Sequence, residues 1–172
     1  MNTTSYWLEE HAETFARADT SRPVDVEIVG GGVTGCSCAL TLAQRGLRVR
    51  VREARTVAGG ASGRNGGFAL RGAVGAYDQA RTQLGDETAR ALWELTERTL
   101  DRLESLAGDA LRRVGSLRLA VDDAERDALA SEYDALRDDG FDVEWADALA
   151  VPLDRLFRGA ILHPRDGALQ PA

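Results

Sequence analysis

The stretch VDVEIVGGGVTGCSCALTLAQRGLRVRVREA, Val24 to Ala54, places three consecutive glycines between an apolar run with the spacing of a strand and one with the spacing of a helix. Glycine inside either element costs roughly 0.5–1 kcal/mol relative to alanine, so the junction has a use for bare backbone. Val24 to Val29 is expected as a strand, Val33 to Arg45 as a helix stopped by Gly46, and Leu47 to Val51 as a second strand in which Arg48 and Arg50 alternate with Leu47, Val49 and Val51. Together they are a βαβ unit with parallel strands. Gly30, Gly32 and Gly35 satisfy GxGxxG at the strand-to-helix turn. The first glycine permits the turn, the second lets backbone approach a pyrophosphate, and the third lets helix and strand pack closely. The phosphates then meet free N–H groups and the positive end of the helix dipole.

Glu53 closes the second strand 18 residues beyond Gly35, near the roughly 20 expected of a carboxylate that binds an adenosine ribose. A 2′-phosphate would be repelled there, which disfavours NADP despite Arg52 and Arg55. The pattern does not separate NAD from FAD. The following loop, VAGGASGRNGGFALRGAVG from Val57 to Gly75, is too long and glycine-rich for a plain connection. Within it Ser62, Arg64 and Asn65 offer a hydroxyl, a guanidinium and an amide, and Gly66 and Gly67 can bring main chain against a flat ring.

Composition narrows the chemistry. All 21 basic residues are arginine, so neither a lysine Schiff base nor a Walker A lysine is available. Against 28 acidic residues the net charge is −7, which argues against broad nucleic-acid or anionic-membrane binding. Cys36 and Cys38 lie two apart on the expected helix, where they do not face each other; they read as small buried packing residues and supply no metal site. MNTTSYWLEEHAETF has no secretory pattern and no stretch reads as a membrane span, so a cytoplasmic protein is the expectation.

Elsewhere, helices are expected over Tyr6 to Ala18, Tyr77 to Gln83, Asp86 to Ala107 and Asp122 to Asp138. The second-last shows Leu92, Leu95, Leu100, Leu103 and Leu106 at near-helical spacing. Strands are expected at Gly115 to Val121, Phe141 to Trp145 and Gly159 to Pro164, and GALQPA at the end shows no closing element. The fold class is α/β: a Rossmann-type dinucleotide-binding segment with part of an inserted α+β domain. The expected divisions are an N-terminal helical extension over 1–22, the βαβ segment and glycine-rich loop over 23–75, the insertion over 76–158 and a return toward the first domain over 159–172.

The run from Val26 to Phe68, with GASGRNGG after the acid-ending strand, resembles the N-terminal FAD-binding segment of the glycine/D-amino-acid oxidase family, most closely its gamma-glutamylputrescine oxidase branch. GALQPA is similar to the point where that family's chain returns from its substrate domain. The resemblance implies FAD as cofactor. It implies that Gly30, Gly32, Val33, Thr34 and Gly35 hold the pyrophosphate, that Glu53 takes the ribose with Ala54 and Arg55 on the adenine side, and that Ala61, Ser62, Arg64, Asn65, Gly66 and Gly67 run toward the flavin. It implies oxidation of the C–N bond of an amine or amino acid to an imine, with hydride passing to flavin and dioxygen or another acceptor reoxidising it. Family members are more than twice this length, so the chain is expected to be an N-terminal fragment without turnover of its own. No catalytic residue is assigned: His11 lies in the leading helix, His163 reads as structural, and Arg165 and Asp166 are weak candidates. Two other readings stay open, a nucleotide-binding module without activity and an NAD-linked dehydrogenase.

Overall fold

The computed structural model describes residues 4–10, 19–73 and 75–172, and the chain divides into two compact units, Met1–Gly67 with Gln170–Ala172, and Phe68–Leu169. The division falls inside the glycine-rich stretch rather than at its end.

The first unit opens with a one-turn helix, α1 (Tyr6–Glu10); the rest of the expected leading helix, with His11, lies outside the described residues. Strand β1 (Val26–Val29), helix α2 (Val33–Gln44) and strand β2 (Val49–Arg52) then form the βαβ unit. The strands are parallel, in register from Val26 opposite Val49 to Val29 opposite Arg52. That register sets acids against arginines. Asp25 accepts from Arg48, and Glu27 accepts from both Arg50 and Arg52 at 2.7–2.9 Å. The guanidinium bonds of Arg52 and then Arg50 hold the Glu27 carboxyl down to about 2. The end of α2 follows the sequence: Gly46 takes φ +84°, and the Leu47 N–H reaches back to the Leu42 carbonyl, the bond that closes a left-handed helix stop.

The second unit contains strands β3 (Phe68–Ala69), helices α3 (Tyr77–Leu84) and α4 (Asp86–Ala107), strands β4 (Leu111–Arg112) and β5 (Ser116–Ala120), helix α5 (Asp123–Asp138), and strands β6 (Glu144–Ala146), β7 (Gly159–His163) and β8 (Gly167–Leu169). Two antiparallel sheets result, ordered β3-β8-β4 and β5-β7-β6. Asp122 caps α5 by accepting the Glu125 N–H at 2.9 Å, as an N-cap aspartate should. The core gathers Tyr77, Trp93, Leu136, Phe141, Val143 and Ile161, with the Tyr77 ring 4.9 Å from Trp93 and 5.2 Å from Phe141.

One expectation is refined and two are corrected here. The buried stripe of α4 is Ala89, Trp93 and Leu100, with Leu95 and Leu106 exposed, because steps of three, four and seven from Trp93 pass through Thr96 and Leu100 and leave Leu95 on the opposite side. Phe141 and Val143 are core residues ahead of β6 rather than strand members. Gly140 turns at φ +81°, and the Phe141 N–H is taken by the Leu136 carbonyl, which ties that segment to the helix end. The chain's end does hold an element: β8 is the middle strand of its sheet, too short for alternation to reveal it.

Candidate functional site

The glycine turn takes the shape its spacing demands. Gly30 leaves β1 at φ +104°, a conformation that strains any side chain, and its N–H bonds the Arg52 carbonyl at 2.8 Å, prolonging the ladder by one residue. A Cβ on Gly35 would stand 2.0 Å from the Gly30 carbonyl oxygen, so α2 lies against its own entry loop at a distance only glycine permits. A Cβ on Gly32 would meet the Ser62 hydroxyl at 3.0 Å, and one on Gly31 would meet the Glu53 Cβ at 3.2 Å. The cradle is therefore made of main chain with two side chains leaning on it.

Those two side chains come from the other candidate segments. The Gly31 N–H donates to Glu53 Oε2 at 2.8 Å, and the Arg55 N–H to Oε1 at 2.9 Å. The Gly31 bond, then the Arg55 bond, holds the Glu53 carboxyl below its ordinary range, so it is an anion at neutral pH. Each oxygen keeps a further lone pair for a hydroxyl donor. The Ser62 hydroxyl accepts the Val33 N–H, the first of α2, at 2.9 Å, and the Ala58 N–H bonds the Gly31 carbonyl at 2.9 Å. Gly30 to Gly35, Glu53 to Arg55 and Ala58 to Ser62 are thus brought into one constellation. Val33, Thr34, Ala54 and Arg55 are exposed around it.

In the rest of the loop the polar side chains bond within the first unit. Asn65 spends its amide on the loop itself, donating to the Ser62 carbonyl at 2.6 Å and accepting the Gly67 N–H at 2.8 Å, with Gly67 at φ +69°. Its own carbonyl accepts the Trp7 indole N–H at 2.9 Å. Arg64 Nε donates to the Gly59 carbonyl at 3.1 Å, which uses one of its five donors. Ala61 to Gly63 form a single 3₁₀ turn that seats Ser62, and exposed Gly66 follows. Geometry adds Gly31 and Ala58 to the constellation. Gly31 was visible as the middle of three glycines, whereas nothing local marks Ala58, which sits at φ +58°.

Cys36 and Cys38 are free, as their spacing implied, but exposed rather than buried; α2 crosses a two-stranded sheet that fully buries none of its residues. Of the weak catalytic candidates, Asp166 is buried and accepts the Arg71 N–H at 2.8 Å and the Ser116 hydroxyl at 2.7 Å, while Arg165 pairs with Asp101 at 2.8 Å. His163 Nδ1 lies 2.9 Å from Arg71 Nη2. All three sit in the second unit. Among the described residues no cluster of His, Cys, Asp or Glu is arranged to hold a metal, and no helix is long and apolar enough to cross a membrane.

Residues 25–172 match the family described as FAD dependent oxidoreductase. The chain belongs to the FAD dependent oxidoreductase family. Within that company it is 35% identical over 182 aligned residues to gamma-glutamylputrescine oxidoreductase of Escherichia coli K12, covering 99% of this chain and 42% of the relative. Glycine oxidase from Geobacillus kaustophilus is similar in structure, with a TM-score of 0.59 at 29% identity over 86% of this chain and 41% of that one. L-amino acid deaminase from Proteus vulgaris shares the fold, with a TM-score of 0.63 at 19% identity, over 93% of this chain and 37% of the other. The chain spans under half the length of these family relatives. The α/β class with a Rossmann-type βαβ segment agrees with them.

Proposed function

We propose that this chain supplies the FAD-binding segment, and part of the substrate domain, of an oxidoreductase acting on the C–N bond of an amine or amino acid. The observation that carries the reading is the main-chain cradle, in which Gly35 approaches the Gly30 carbonyl more closely than any side chain would allow, and Gly31 and Gly32 leave only tight room against Glu53 and Ser62. FAD bound there would supply a two-electron acceptor for hydride from the carbon bearing nitrogen, with reoxidation by dioxygen. The chain's residues hold and orient it. Gly30, Gly32, Val33, Thr34 and Gly35 present backbone to the pyrophosphate, and Ser62, already seated on the first N–H of α2, keeps its own O–H to donate to a phosphate oxygen. Glu53 accepts from the ribose while fixed by the Gly31 N–H, and Ala54 and Arg55 flank the adenine. Ala61, Arg64, Asn65, Gly66 and Gly67 carry the chain onward toward the flavin ring, with Asn65 shaping the loop. The relatives, a gamma-glutamylputrescine oxidoreductase and a glycine oxidase, support an amine-bearing substrate.

The test is flavin retention. Protein purified with excess FAD and desalted should keep the visible flavin bands, Glu53→Gln should weaken binding roughly 10–100-fold, the worth of hydrogen bonds to a charged acceptor, and Glu53→Arg should remove it. A folded but colourless parent chain, or full retention by Glu53→Arg, would sink the reading.

A further inference from the structure

We propose that α1 is a clip that orders the glycine-rich loop beside the cradle, with Trp7 as its positioning residue. That the loop so held carries a flavin rests on the cofactor reading above; that α1 sets the order of the loop does not.

The loop is costly to order. Gly59, Gly60, Gly63, Gly66 and Gly67 make up half of the ten residues from Ala58 to Gly67, and glycine loses more conformational freedom on folding than any other residue. Bonds from other segments must hold it. Its near half is tied to the cradle, by the Ala58 N–H on the Gly31 carbonyl and the Val33 N–H on the Ser62 hydroxyl, both at 2.9 Å. Its far half is tied to α1. The Trp7 indole N–H reaches the Asn65 carbonyl at 2.9 Å across 58 residues of chain. Leu8 packs on buried Gly63, where a Cβ would stand 2.9 Å from Leu8 Cδ2 and 3.3 Å from the Ala172 Cβ. Asn65 carries the contact inward: its carbonyl takes the indole, its Nδ2 donates to the Ser62 carbonyl at 2.6 Å, and its Oδ1 accepts the Gly67 N–H at 2.8 Å. One residue thus joins α1 to the end of the loop and to the serine seated on the first N–H of α2. Linked hydrogen bonds of this kind polarise and strengthen one another.

α1 has little reason to form alone. It is five residues long and fully buries none of them, and isolated helices this short are unstable in water. Its order comes from where it docks. Gln170 Nε2 donates to the Trp7 carbonyl at 3.3 Å and to Glu10 Oε2 at 2.9 Å, Glu10 Oε1 accepts the Tyr6 hydroxyl at 3.0 Å, and the Tyr6 and Trp7 rings meet edge-on at 5.1 Å. Gln170 Oε1 takes the Ala172 N–H at 3.0 Å, so the same side chain steadies the tail that lies on Gly63. Helix, tail and loop all belong to the first unit. α1 also lies ahead of residues 25–172, the stretch matched to the family, so the clip acts on the shared cradle from outside that stretch.

The experiment compares the full 172-residue chain with Trp7→Phe, which keeps an aromatic ring and removes the N–H. Amide exchange is followed by NMR without cofactor, and FAD binding and release by flavin fluorescence. In the variant the Gly67 and Val33 amides, whose acceptors hang on Asn65 and Ser62, should exchange roughly threefold to tenfold faster, the worth of one hydrogen bond. The Asp25 and Gly30 amides, bonded to the Arg48 and Arg52 carbonyls across the two strands, should not change; a general loss of stability would move all four. FAD affinity should fall by a similar factor, carried by faster release. Coupling is reciprocal, so FAD should slow exchange of the Trp7 indole N–H in the parent chain by a comparable factor. Gln170→Ala frees α1 at its other end with the indole intact. It should give the same pattern and add little to Trp7→Phe, because both act through one helix. Unchanged or uniformly faster amides, or a strictly additive double variant, would overturn the proposal. A parent chain that takes up no flavin while its loop amides respond to Trp7→Phe would sink the cofactor reading alone, and flavin uptake indifferent to Trp7→Phe would sink this one alone.

Discussion

The two units of this chain bury opposite things. Among the described residues, those fully buried in the first unit are Gly31, Gly59, Gly63 and Gly67, all glycine, and every buried apolar side chain lies at or beyond Ala69. What the first unit packs is therefore backbone against backbone, helped by the arginine and carboxylate pairs across β1 and β2. The second unit packs side chains, with Tyr77, Leu136, Val143 and Ile161 almost wholly enclosed. The difference follows from use. Under the proposed function, a surface that receives a flat, charged dinucleotide keeps Cβ atoms out of the way, while the second unit gains its rigidity from close-packed side chains.

The sharpest way to break that comparison is to add a side chain where only backbone fits. Gly35→Val puts a branched Cβ at a point 2.0 Å from the Gly30 carbonyl oxygen, so the turn must open. Flavin retention should fall at least about 100-fold, the loss expected when several main-chain bonds to phosphate are displaced together. The near-UV dichroism of Tyr77, Trp93 and Phe141 should stay unchanged, because none of them depends on the turn. A parallel loss of both signals would mean that the backbone of the first unit and the core of the second are not separable. The converse substitution, Leu136→Ala in the second core, should cost about 2–5 kcal/mol in denaturant unfolding and leave flavin retention of the folded protein unaltered. An effect below about 1 kcal/mol would show that the site collapses around the gap and is not close-packed.

The same contrast explains what could be read from the sequence. The first unit was legible because its determinants are local and chemically special: Gly30, Gly32 and Gly35 fix the turn, Gly46 stops the helix, and Glu53 ends the strand at a telling distance. What escaped was the mutual bonding of segments far apart in the chain, the Ser62 hydroxyl on the first N–H of α2 and the Ala58 N–H on Gly31, since nothing in either residue announces its partner. The boundaries of α4 could be read to the residue because Gly85 and Gly108 flank it at positive φ. Its buried face could not, because leucine recurs on both sides and only the tertiary partner decides which ones are covered. β3, β4 and β8 are two or three residues long, below the length at which alternation carries information. Arg71, Glu97 and His163 were invisible as a group for the same reason: ninety-two residues separate the first from the last, and only the folded second unit sets them together.

The smallest expected effect concerns that buried trio and gives the two units different responses to acid. His163 is held near a pKa of about 4, first by burial and then by the neighbouring Arg71, against 6.5 in the unfolded chain. The unfolded state therefore binds the proton more readily, and the stability this neutral histidine contributes is complete above pH 6.5 and lost as pH falls toward about 4. Unfolding free energy of the second unit should decline across that window, and His163→Gln, which keeps an acceptor for Arg71 and cannot be protonated, should flatten the slope there. The first unit should be insensitive over the same range, since Glu27 titrates at about 2 and its arginine pairing persists to lower pH. Denaturant unfolding at closely spaced pH values, with flavin bands reporting the first unit and near-UV dichroism the second, resolves the two. An unchanged slope in His163→Gln would mean that the imidazole is already solvated and that the walls of the second unit are looser than its packing implies.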